Sequence, residues 1–233
     1  MCLSGSGQKL SKMLYSSCMY VKPVYANNYF YHVYNRGVAK QNLFDSDFDY
    51  LRLLKTFSFY LENENKPRLS KIDKTELHKI LKIEPQKPLV EIYAYCLMPN
   101  HFHLLLRQVT DNGISIFLRR SSDSYTRYYN VKNDRVGTIF QGRFRAVLIE
   151  SDEQLLHLSR YIHLNPYTSD ICNDSASYNW SSYHHYLNNN NDRLCHPDYI
   201  LKMIGSSKNY QEFVEDYASY ARDLTRIKDI LHE

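Results

Sequence analysis

Val90-Glu91-Ile92-Tyr93-Ala94-Tyr95-Cys96-Leu97-Met98-Pro99-Asn100-His101-Phe102-His103-Leu104-Leu105-Leu106-Arg107-Gln108 reads as two strands joined by a tight Pro-Asn turn. Side chains alternate across a strand, so His101 and His103 share one face while Phe102, Leu104 and Leu106 line the other. Two imidazoles one strand step apart can share a divalent metal ion, and a metal beside a nucleophile points to phosphoryl or hydrolytic chemistry.

Working outward, the elements alternate. Tyr29 to Asn35 is aromatic and β-branched and stops at Arg36-Gly37, a strand ending in a turn. Asp45, Ser46 and Asp47 are cap-type residues, and Leu51, Leu54, Phe57 and Leu61 recur at helical spacing, which predicts a helix over 47–62. A charged insertion, Asn63 to Pro88, follows, with a short helix expected near Thr75 to Leu81. After the β-hairpin come a helix over Ile114 to Asn130, a strand over Arg143 to Glu150 and a helix over Glu153 to Leu164 that stops at Pro166. The order β-α-β-β-α-β-α is the split βαβ arrangement of a ferredoxin-like α+β sandwich, an antiparallel sheet with helices on one face. The last helix has no room beside the two crossover helices. It is expected to cross the open face and bring its own residues to the histidines. His157, Tyr161 and Asn165 lie four residues apart on it, along one stripe.

Composition sets bounds. The chain has 233 residues, 43% hydrophobic and 23% charged, ordinary for a soluble globular protein, and no apolar run approaches a membrane span. The five cysteines (Cys2, Cys18, Cys96, Cys172, Cys195) are scattered and never paired as C-x-x-C, which argues against a disulfide framework and fits a reducing cytoplasm. Met1 to Ser17 lacks an apolar core of signal-peptide length and reads as a flexible lead-in. The organisation expected is a lead-in over 1–28, a catalytic core over 29–190 and a helical extension over 191–233, with helices near Pro197 to Ile204 and Tyr210 to Leu231.

The net charge of +4 is local: Arg119 to Arg145 carries +5 and leaves the rest at −1. Tyr125, Tyr128, Tyr129, Phe140 and Phe144 are interleaved with those cations, the mixture of phosphate contacts and stacking surfaces that single-stranded nucleic acid requires. The 22 tyrosines identify no nucleophile by number, since codon bias enriches Tyr and Asn together. A phenol titrates near about 10 in water, so at neutral pH it attacks only with help from a base or cation.

Five stretches stand in the order and spacing of one known family: Tyr31-His32-Val33-Tyr34-Asn35-Arg36-Gly37, Met98-Pro99-Asn100-His101-Phe102-His103-Leu104-Leu105, Phe140-Gln141-Gly142-Arg143-Phe144-Arg145, Arg160-Tyr161-Ile162-His163-Leu164-Asn165-Pro166 and Trp180-Ser181-Ser182-Tyr183. Over Tyr29 to Leu187 the chain resembles the REP-associated tyrosine transposases, single-tyrosine nucleases with a His-hydrophobic-His motif. The resemblance implies that His101 and His103 are metal ligands, with Asn165 as the third, for Mg²⁺ or Mn²⁺. It implies that Tyr161 is the nucleophile that becomes joined to a 5′ phosphate, leaving a 3′ hydroxyl. The implied partner is single-stranded DNA near a palindromic hairpin, with Arg143 and Arg145 on phosphate or guanine and Arg119, Arg120 and Arg127 along the backbone. Monomers and homodimers both occur among such proteins. A non-catalytic hairpin-binding module on the same fold is the competing reading. A 2H-type phosphoesterase would need a pair of H-x-[ST] motifs on related strands, which this chain does not carry.

Overall fold

The computed structural model describes residues 25–62, 69–72, 79–187 and 192–231. Strands β1 (Phe30–Arg36), β2 (Val90–Met98), β3 (His101–Gln108) and β4 (Arg145–Ile149) form one antiparallel sheet in the order β2-β3-β1-β4. With helices α1 (Asp47–Tyr60) and α2 (Gly113–Lys132) as crossovers, this is the ferredoxin-like topology. Helix α3 (Asp152–Thr168) follows β4, and α4 (Tyr183–Tyr186), α5 (Asp198–Ile204) and α6 (Ser207–Leu231) complete the order. The expected helix at 75–81 falls mostly outside the described residues; its end is a 3₁₀ turn, Ile80–Lys82. No helix among the described residues is long and apolar enough to cross a membrane.

Each layer follows from local chemistry. Ser46 and Asp49 form a reciprocal capping box that starts α1. Asp49 is fully buried and also accepts from Tyr128 Oη at 2.7 Å and Lys132 Nζ at 2.6 Å, which ties α1 to α2. Under these two helices Val33, Phe102, Leu104 and Leu106 are buried, with Phe57 lying 5.8 Å from Phe102 and 5.5 Å from Phe117 between ring centroids. Gly113 opens α2 against Leu89, whose carbonyl oxygen would stand 2.1 Å from any Cβ at that position, so only glycine fits.

Helix α3 lies across the other face, against β2 and β3. Contrary to the sequence expectation, it does not stop before Pro166 but runs through it to Thr168. A proline forfeits one donor to the carbonyl four residues back. Beyond it the turn is closed by Ser169 N–H to the Asn165 carbonyl and Ile171 N–H to the Pro166 carbonyl. Arg222 of α6 adds bonds to the Tyr167 and Cys172 carbonyls, its guanidinium 3.6 Å above the Tyr167 ring. Further along the same seam, Arg160 of α3 sits between Phe213 and Tyr217 at 4.1 and 4.0 Å. The β2 edge is covered by residues 180–182: Leu97 N–H donates to the Trp180 carbonyl and Ser182 N–H to the Tyr95 carbonyl. Trp180 itself stacks on Tyr50 at 4.8 Å and is packing.

Candidate active site

The pleat of β3 turns His101 and His103 toward α3, their ring centroids 5.0 Å apart and nearly perpendicular. A third histidine joins them. His32 of β1 stacks on His103 at 5.1 Å, with its Nε2 2.9 Å from His103 Nδ1. Tyr161 of α3 presents its ring edge-on, 5.6 Å from His103 and 6.2 Å from His32. It remains 51% exposed, whereas His103 is only 7% exposed. One turn on, Asn165 is buried and hydrogen-bonds the His101 ring, while its Nδ2 has no protein partner. Passage of α3 through Pro166 keeps Asn165 in helical register under Tyr161. His157 departs from that stripe: its Nδ1 lies 2.8 Å from Arg160 Nη2 and its ring packs on Phe213 at 5.7 Å, away from the other histidines.

A cleft of about 560 Å³ opens over the group, walled by Tyr34, Arg36, Lys40, Arg143 and Arg145. Strand register explains the wall: Tyr34 lies opposite His103 on one side and opposite Arg145 on the other. Gly142, at φ +70°, makes the turn that returns the chain to β4, a left-handed conformation that glycine adopts without strain. Arg36 Nε bonds Gln141 Oε1 at 2.6 Å and pins that turn to β1.

The other basic residues do not converge there. Arg119 lines a second groove of about 590 Å³ beside Phe140 and Phe144, which shares Asn35 and Arg143 with the cleft. Arg127 lines a third hollow with Arg52 and Lys132 on the outer side of α1 and α2, and Arg120 lines none of these.

Burial holds all three imidazoles neutral. It lowers His32 to about 4. It lowers His101 to about 4, helped by the Arg36 guanidinium. It lowers His103 to about 2, helped by the two neighbouring rings. Lone pairs are therefore available at physiological pH. Among the described residues no group of three or more His, Cys, Asp or Glu is arranged to hold a metal ion. His32 spends its Nε2 on His103, so the donors left are two imidazoles and the Asn165 amide, a set with room for waters and a phosphate oxygen. That set fits Mg²⁺ or Mn²⁺, and the buried Asn165 amide beside His101, its Nδ2 without a partner, is the observation that favours it.

Residues 58–165 match the family model for IS200-like transposases. The match spans β2, β3, α2, β4 and the helix bearing Tyr161 up to Asn165. A solved structure described as a REP-associated tyrosine transposase bound to a REP hairpin superposes with a TM-score of 0.51 at 15% identity, covering 72% of this chain and 84% of that one. That likeness shows a shared fold. No curated protein matches the chain in sequence. The IS200-like match and the shared fold together support a transposase-type role in DNA processing.

His32, Tyr34, Arg36 and Lys40 were not legible as site residues. The signal was available for three of them. His32, Tyr34 and Arg36 alternate along β1 on one face, and the ferredoxin-like strand order puts that face beside the His-x-His pair.

Proposed function

We propose that the chain is a metal-dependent endonuclease and strand transferase for single-stranded DNA, cutting near palindromic hairpins through a 5′-phosphotyrosine intermediate. The observation that carries this is Tyr161, half exposed and edge-on to His103 across a cleft walled by arginines. In this reading the Tyr161 phenol oxygen attacks the phosphorus and gives up its proton to solvent. The bond from phosphorus to the 3′ oxygen breaks, and that oxygen takes up a proton to become the 3′ hydroxyl. Arg36, Arg143 and Arg145 hold the phosphodiester in line. His101, His103 and Asn165 would hold Mg²⁺ or Mn²⁺, which supplies charge stabilisation at the phosphoryl oxygens. The aryl phosphodiester conserves the energy of the broken bond, so rejoining needs no ATP. The active form proposed is a monomer or a homodimer. A cytoplasmic location follows from the same role.

The test is incubation of the full chain with 5′- and 3′-labelled hairpin-bearing single-stranded DNA and Mn²⁺ or Mg²⁺, followed by a denaturing gel. A metal-dependent protein–DNA adduct that disappears in Tyr161→Phe and His101→Ala is the expected result. Unchanged cleavage by Tyr161→Phe overturns it. Binding of the hairpin without any adduct under either metal replaces it with the non-catalytic module.

A further inference from the structure

Both motif histidines are held through Nδ1, by partners outside the catalytic set. His101 Nδ1 lies 2.7 Å from Asn100 Oδ1. The Asn100 amide is oriented by its other end, where Nδ2 donates to the Lys40 carbonyl at 3.3 Å. An amide oxygen only accepts, so the short Asn100 contact favours the proton on His101 Nδ1. The competing acceptor on the same ring is the Asn165 amide oxygen, which a bound cation would take over as a ligand. A neutral imidazole has one proton, and its Nε2 keeps a lone pair.

His103 Nδ1 faces another ring nitrogen, His32 Nε2, at 2.9 Å, so the proton between them has two placements. With the proton on His32, His103 would be protonated at Nε2 and could not ligate. With the proton on His103 Nδ1, His32 accepts and His103 Nε2 is free.

We infer that His32 and Asn100 are positioning residues that fix His103 and His101 as Nδ1–H tautomers, leaving both Nε2 atoms to a divalent cation. The inference rests on the proposed reading of the cleft as a metal centre. Carboxylates and backbone carbonyls commonly orient ligating histidines. Here one orienting group is a neutral imidazole and the other an amide. Neither adds negative charge, which leaves the cation's charge undiminished for a phosphodiester anion. The device has its own support. Ala39 and Lys40 stand consecutively in the left-handed region, at φ 52° and 60°, uncommon for residues other than glycine. That turn aims the Lys40 carbonyl at Asn100, while Gly37 N–H donates to the Asn100 carbonyl. One loop after β1 therefore orients Asn100, and β1 itself supplies His32.

The experiment uses the full chain without DNA. Mn²⁺ affinity is measured by titration calorimetry for wild type, His32→Leu and His32→Gln, with a thermal melt on each. Gln keeps an acceptor near the same reach and Leu removes it. We expect His32→Leu to weaken Mn²⁺ binding by about 10–100-fold and His32→Gln to stay within about 3-fold of wild type. Independently, ¹⁵N-histidine NMR of the metal-free wild type at neutral pH should report His101 and His103 both protonated at Nδ1. Wild-type Mn²⁺ affinity in His32→Leu, or a His103 signal protonated at Nε2, overturns the inference and leaves the adduct assay untouched. Should His32→Leu fail to fold, the wild-type NMR spectrum still decides. A wild type that neither binds Mn²⁺ nor forms an adduct overturns the underlying reading, and this inference with it.

Discussion

Helix α3 borders a histidine cluster on each of two faces, and they differ in one respect. On the outer side the rings of His32, His101 and His103 meet Tyr161 beneath an open cleft. On the inner side His163, two residues after Tyr161, is fully buried, with Nδ1 2.8 Å from Tyr210 Oη and Nε2 2.8 Å from Ser182 Oγ. Tyr210 continues to Ser159 at 2.9 Å, and Ser182 accepts from Tyr95 N–H at 2.8 Å. Burial depresses both clusters, and His163 falls to about 3 with help from His185 and His184. Desolvation alone therefore does not mark a site. At His163 both nitrogens are already spoken for, and the ring is a staple between α3, α6 and β2. In the cleft each motif ring has its Nδ1 engaged by Asn100 or His32, and the further neighbour of His101 is the Asn165 amide, itself a candidate ligand.

The contrast breaks most sharply at Tyr161. Tyr161→Phe removes one exposed hydroxyl, so the labelled DNA adduct should vanish on a denaturing gel while the unfolding free energy measured in urea stays within about 0.5 kcal/mol of wild type. His163→Leu should do the reverse. It leaves the Tyr210 and Ser182 hydroxyls short of a partner, costing about 2–4 kcal/mol by urea unfolding, with Mn²⁺ affinity unchanged in the folded fraction.

Acid provides a third probe. An unfolded-chain imidazole titrates near about 6.5. Between that value and the lowered native ones the unfolded state binds protons that the folded state refuses. Stability is thus complete above about pH 6.5 and falls as the pH drops toward about 4, the His163 share being about 2 kcal/mol at about pH 5. Melts at several pH values should follow that slope, and His163→Leu should lessen it. The smallest effect belongs to the cleft wall: Arg145→Ala should lower the salt dependence of hairpin binding by about one phosphate's worth without moving the melt.

The β-hairpin was legible to the residue, because its apolar runs, the His-x-His alternation and the Pro99-Asn100 turn are local signals, and β2 and β3 begin and end where those signals do. So was the crossing of α3 over the open face, since two crossover helices already fill the other. The continuation past Pro166 was not legible, because it depends on Arg222 and backbone bonds from the following turn. His32 was missed since its meaning comes from a strand about seventy residues away, as the separation within its bond to His103 shows. Arg119 and Arg127 looked like one track in the sequence. Eight residues apart on a helix they stand about 12 Å apart along its axis, which carries them to different grooves.

The seam between α3 and α6 also has an order in time. The helix bearing Tyr161 is synthesised first, and the segment from Ser207 that supplies Tyr210, Phe213, Tyr217 and Arg222 emerges from the ribosome later. Until it docks, His163 and Ser159 lack the Tyr210 hydroxyl and Arg160 lacks both flanking rings. The flank that sets Tyr161 in place is thus completed late in translation, after the sheet beneath it has been made.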